Sequence, residues 1–194
     1  MRNMNQKLAL LLFVLAITAS LQAQVPYTLK TPKLSVSGTS TLHEWTSEAT
    51  KVEWSGSLLV QDKKIIQVKD VQVKIPVTSI KSEKGKTMDN KTYEAFNSDK
   101  NPNIVYKLTI IKITGNGPDF TLDATGTLSM AGATQTFDMP VKAKLLANGD
   151  IQLIGSKKIN MKDYKMVPPT AMMGTIKVGE EVTVNFDLTI TPTK

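Results

Sequence analysis

His43 is the single histidine in a 194-residue chain that has no cysteine. It stands in Leu42-His43-Glu44-Trp45, shortly after Ser40. General-base chemistry needs a nucleophile, a base and an orienting acid within hydrogen-bond reach, and here Ser40 and Glu44 are nominated only by closeness in sequence. Metal chemistry has less to stand on. With no thiolate and no second imidazole, zinc or copper would rest on carboxylates alone, so no metal and no cofactor is expected. No nucleophile elbow, phosphate loop or spaced metal motif occurs elsewhere in the sequence. The simpler reading makes His43 a hydrogen-bonded residue at a strand start in a protein that is not an enzyme. The alternative is an enzyme that uses it.

The charged residues narrow the choice of partner. Arg2 and Lys7 flank an apolar run from Leu8 to Ala19 that is followed by Ser20-Leu21-Gln22-Ala23, the pattern of a secretory signal peptide over residues 1–23. Removing it leaves one domain, residues 24–194, which carries 22 lysines against 17 acidic residues, a net charge of +5. Because Arg2 is the only arginine, that domain has no guanidinium fork for bidentate contact with phosphate or guanine, and no nucleic-acid partner is expected. A periplasmic or secreted location follows from the leader. The apolar run is too short for a span, so no transmembrane segment is expected. Transient membrane contact and pairing of two copies stay open. The lysine groups Lys63-Lys64, Lys81-Lys84-Lys86 and Lys157-Lys158 fall at turns or strand ends. There they either guard sheet edges in solvent or attract an anionic group as point charges.

The elements that must position these groups are strands. Val182, Val184, Phe186, Leu188 and Ile190 alternate with polar residues, which puts five apolar side chains on one strand face. Similar faces recur at Val71-Val73-Ile75-Val77, Ile104-Tyr106-Leu108-Ile110, Phe120 to Met130 and Phe137 to Leu145. Short turns at Asn116–Asp119, Ala131–Ala133 and Asn148–Asp150 connect them as antiparallel hairpins. About eight such strands must stack as two sheets or close into a barrel, and a barrel of that size holds one small ligand. Alternation alone leaves both open, including an adhesion or partner-binding β-sandwich with a filled core.

Two segments depart from alternation. Between Thr87 and Ser98, Met88, Thr92, Ala95 and Phe96 fall at helical spacing and Pro102 prevents continuation, which predicts one short amphipathic helix. The segment from Asn160 to Gly174 holds Met161, Met166, Met172 and Met173 around Pro168-Pro169. Methionine fills irregular gaps, so this segment is either packing under a loop or an adaptable ligand portal.

Several stretches, in order, resemble the YceI-like family. They are Val36 to Trp45 (VSGTSTLHEW), Ile75 to Ile80 (IPVTSI), Lys91 to Tyr106 (KTYEAFNSDKNPNIVY), Gly126 to Gly132 (GTLSMAG) and the Asp163 to Gly174 loop before a last strand. The resemblance implies an all-β fold, an extended lipocalin-like antiparallel barrel of about eight strands with one short helix. It also implies binding, sequestration or transport of a long-chain lipid or isoprenoid ligand in the interior. On that reading Ile75, Ile104, Tyr106, Leu108, Leu122, Leu128, Val141, Phe186 and Leu188 are expected to touch the tail, although a one-residue slip in register would turn any face outward. Trp45 and Trp54 serve either the core or the ligand wall. Tyr93, Phe96, Met166, Met172 and Met173 are expected to line an adjustable end of the tunnel.

Overall fold

The computed structural model describes residues 24–193; the proposed signal peptide lies outside the described residues. Eleven strands follow in chain order. They are β1 (Val25–Ser40), β2 (Glu44–Ala49), β3 (Glu53–Gln61), β4 (Lys64–Pro76), β5 (Ile80–Ser82), β6 (Asn103–Gly115), β7 (Asp119–Met130), β8 (Ala133–Leu145), β9 (Ile151–Asn160), β10 (Thr170–Ala171) and β11 (Ile176–Pro192). Among the described residues one α-helix, α1 (Lys86–Phe96), lies between β5 and β6.

Strands β1, β3, β4, β6, β7, β8, β9 and β11 pair in that order, and β11 returns to β1, which closes them into an eight-stranded cylinder. This is an up-and-down antiparallel barrel rather than a two-sheet sandwich. The closing seam is long, with pairs running from Tyr27↔Pro192 to Ser40↔Val178. β2 continues β3 along β1: Ser35↔Glu48 and Val25↔Leu58 keep one register across the break at Thr50–Val52. β5 extends the wall beside β2, and β10 is a two-residue flap on β11.

Alternation dictates which side chains face inward. In β7 Phe120, Leu122, Ala124, Leu128 and Met130 are buried while Thr121 and Asp123 face solvent. The β6 face differs from the sequence expectation. Its pairing with β7 shifts between Leu108 and Ile110, a bulge that inserts one residue and turns the strand over. Ile110 is therefore 65% exposed, and Ile111 and Ile113 pack inside in its place.

At one end of the barrel lie the β3–β4, β6–β7 and β8–β9 turns and both ends of the described chain, tied by Thr193 N–H donating to Pro26 O (2.9 Å) and by Lys30 pairing with Asp150 (2.8 Å). Tyr27, Ile65, Phe120, Ala143 and Ile151 fill this end with buried side chains and form a floor. At the other end lie α1, the β7–β8 turn and the methionine-rich segment. α1 stops at Phe96 because Asn97 takes a left-handed conformation and returns its N–H to Tyr93 O and Glu94 O, before Pro102 is reached.

Candidate functional site

The inward faces enclose a cavity of about 390 Å³, within the range of small-molecule sites. Its walls come from every strand of the cylinder. Toward the floor lie Leu58, Val68, Leu153 and Ile190, and toward the mouth lie Ile104, Phe96, Ile176 and Val178. Strands of about a dozen residues, tilted by about 40°, give the barrel a height of about 30 Å, of which the tunnel takes the part above the floor. Small residues set its bore. The ring of Tyr106 lies against Gly126 and that of Phe186 against Gly155, so closely that a Cβ at either glycine would occupy the ring's position.

The mouth is polar at its fringe. Lys84, Lys91, His43, Ser40 and Thr170 border it, and Lys157 enters from the wall. Lys157 occupies an inward register position on β9, between Gly155 and Ile159. Its amine donates to Asp138 O (2.9 Å) and sits 4.8 Å from the centre of the Phe137 ring. It bridges a seam there. The β8–β9 ladder runs only from Leu145↔Ile151 to Val141↔Gly155 and stops at Pro140, which has no N–H to give. Above that point Gln135 on β8 donates instead to Asp163 O (2.8 Å), in the turn that follows β9.

Of the residues singled out from sequence, Trp45, Trp54, Ile75, Phe96, Ile104, Tyr106, Leu108, Leu122, Leu128, Val141, Met166, Phe186 and Leu188 all line this cavity. Tyr93, Met172 and Met173 do not. The lining stripe of α1 is Met88, Lys91, Thr92, Ala95 and Phe96; Tyr93 falls about 60° beyond its Phe96 edge. Its hydroxyl instead donates to Thr78 O (2.9 Å) and accepts from Lys81, pinning the helix to the wall from outside. In the methionine-rich segment Met161 and Met166 turn in and are buried, whereas Met172 is 73% exposed and Met173 fully so. Both take left-handed backbone conformations, φ 51° and 53°. These two are neither lining nor core. Composition alone also missed Lys91, whose place at the mouth follows from the helical stripe Met88, Lys91, Thr92, Ala95.

His43 shows no triad geometry. Its Nδ1 meets the backbone carbonyl of Glu44 (2.9 Å), not the carboxylate, and the Ser40 hydroxyl is engaged with the His43 backbone. Among the described residues no three metal-binding side chains cluster. No helix among them is long and apolar enough to cross a membrane.

Of the lysine groups, Lys84 borders the mouth, Lys63-Lys64 sit in the floor-end β3–β4 turn, and Lys158 is paired outside with Glu181 (2.7 Å). Inside the tunnel, burial pushes the Tyr106 phenol above its ordinary pKa.

A model of the YceI-like domain matches residues 27–190. No curated protein sequence matches the chain. Among solved structures, Burkholderia cenocepacia BcnA superposes with a TM-score of 0.63 at 17% identity, over 82% of this chain and 96% of that one. A polyisoprenoid binding domain from Saccharophagus degradans superposes with a TM-score of 0.65 at 14% identity, over 87% and 99% of the two chains. The Campylobacter jejuni YCEI protein does so with 0.59 at 17% identity, over 76% and 84%. At these identities the likeness establishes a common fold.

Proposed function

The chain belongs to the YceI-like family, and from that premise we propose that its barrel holds one long apolar chain, a polyisoprenoid or a lipid of similar shape, without transforming it. The observation that carries the reading is the tunnel itself, apolar along its height and walled by every strand of the cylinder. A tail entering it gains about 0.8 kcal/mol for each methylene removed from water. Directional contacts are few, as suits a carrier. Lys84, Lys91 and Lys157 at the mouth favour an anionic or strongly polar head group by point-charge attraction. The Saccharophagus domain is described as polyisoprenoid binding, which supports the same class of cargo here. The leader pattern of residues 1–23 supports a working place outside the cytoplasm, in the periplasm or beyond it.

Native mass spectrometry of the purified protein, followed by lipid extraction, tests the proposal. The expected result is a long-chain species released on denaturation. Leu108→Trp, which thrusts an indole into the lining, should abolish that species while leaving a cooperative melt. Turnover of a lipid that disappears in His43→Ala would overturn the non-catalytic part, and a protein that never retains or takes up a chain would overturn the whole.

A further inference from the structure

Among the described residues, the four most exposed large apolar side chains all stand at the mouth end of the barrel. They are Met173, fully exposed, Val167 (79%), Met172 (73%) and Leu42 (67%). The others, Val25, Ile66, Ile110 and Ile154, are scattered one to a strand. Single exposed apolar residues are ordinary on a protein surface, whereas a gathering of them marks a contact.

Hydrogen bonds draw the four together. Thr41 N–H donates to Lys177 O (3.0 Å) and Thr41 Oγ1 to Thr175 O (3.4 Å), which lays the β1–β2 turn, with Leu42 on it, beside the segment that carries Met172 and Met173. Val178 N–H donates to Pro169 O (3.0 Å), which ties the Val167-Pro168-Pro169 stretch to the same strand. Leu42, Pro169, Ala171 and Ile176 border the tunnel, so the tips stand around its opening. Met172 and Met173 hold left-handed backbone conformations that are costly without glycine, and neither side chain joins a core cluster. Strain of this kind, unexplained by packing, points to a use at the surface.

Charge identifies the partner. Among the described residues the tunnel border includes Lys84 and Lys91 and no carboxylate. Lys165 and Lys177, both exposed beside the tips, likewise form no ion pair among the described residues. Glu44, Glu83 and Asp163 lie outside that border, and residues 24–194 together carry +5. We propose that the mouth end is a membrane-docking face: Leu42, Val167, Met172 and Met173 enter the interfacial layer of a bilayer while the lysines meet anionic head groups. This rests on the carrier reading above for its purpose and adds the surface with which cargo is exchanged. Apolar tips that project from separate turns suit an acyl layer that closes around each one, and unbranched methionine adapts to it. With so few anchors the contact is reversible and weakened by salt.

Co-flotation tests the face with vesicles of phosphatidylethanolamine and phosphatidylglycerol, and with phosphatidylcholine vesicles as the neutral control. The wild type should bind the anionic vesicles about tenfold more tightly than the neutral ones. Met172→Asn with Met173→Asn replaces the tips by a polar residue that accepts left-handed backbone, so the barrel should melt no lower while vesicle affinity falls by about tenfold. Lys165→Gln with Lys177→Gln should lower affinity for the anionic vesicles by a similar factor and leave the neutral ones unaffected. Uptake of a fluorescent apolar probe, measured without vesicles, should be equal in all three proteins. No vesicle binding by the wild type, or binding that survives the methionine exchange, would overturn the docking face. Methionine-dependent pairing of two copies in light scattering, without vesicle binding, would overturn it in favour of a protein contact. Failure to take up the probe, with vesicle binding intact, would overturn the carrier reading and leave the docking face standing.

Discussion

Phe186 has its bore-setting position because residue 155 has no side chain to displace it. In Gly155→Ala the new Cβ meets the far end of the Phe186 ring rather than backbone, so the ring swings toward the lumen. The expected outcome is a narrower tunnel, weaker binding of branched chains and a stability loss of about 1–3 kcal/mol. Phe186→Leu in the same molecule should restore both, read by melting and probe displacement. Charge acts at the floor. Lys30, then Thr191 and Asn148, hydrogen-bond the Asp150 carboxylate and hold its pKa below the usual value, against the opposing effect of burial. Native Asp150 thus stays ionised where the unfolded chain would protonate, and its stabilisation is present above about pH 4 and lost as pH falls through the depressed value. Tyr27, Tyr106 and Tyr164 have pKa values raised by burial, Tyr27 and Tyr164 also by Asp150 and Asp163 respectively. Their contribution is present below about pH 10 and lost above it. Melting temperature against pH should show a plateau that falls at both ends. Asp150→Asn should flatten the acid limb and Tyr106→Phe part of the alkaline one.

The bulge in β6 decides the fate of two adjacent isoleucines. Ile110→Lys places a charge in solvent and should change stability by no more than about 0.5 kcal/mol. Ile111→Lys puts one into the tunnel wall and should unfold the barrel or abolish uptake of an apolar probe. A titration in urea separates the two variants. Sequence could not have made the distinction, because both residues are apolar and the inserted residue leaves no mark on composition. Uninterrupted strands were legible: β7 and β11 face inward as their alternation indicates, and the α1 stripe follows helical spacing. Legibility failed where one step of geometry outweighs residue type. Tyr93 is such a case on the helix, and so are Met172 and Met173, whose apolar character says nothing of a backbone that turns them out. For these two, left-handed conformations cost roughly 1–2 kcal/mol each in a non-glycine residue. Met173→Gly should therefore raise the unfolding free energy by about 1 kcal/mol, the opposite of what loss of a core methionine would do.

At the scale of the molecule, period-two alternation fits a filled sandwich as well as a hollow cylinder. What decides between them is the long-range pairing of β1 with β11, which no local pattern encodes. Hydrogen exchange should find the β1–β11 amides among the slowest. Those of β8 above Pro140 that point toward β9 should exchange rapidly, since that ladder ends at Val141↔Gly155. A tube slit along part of its length resists widening only below the slit. Below it, however, the β4–β6 ladder runs only from Pro76↔Asn103 to Gln72↔Lys107 and leaves the floor half of that seam unpaired, so the lower barrel is not hooped by continuous hydrogen bonds either. The upper barrel is laced by Lys157, Phe137 and Gln135, and a lace can lengthen without breaking a ladder. A cylinder slit from the mouth on one seam and from the floor on another can widen at either end by a small splay of the strands beside the slit, so no single ring gauges the thickness of what it holds.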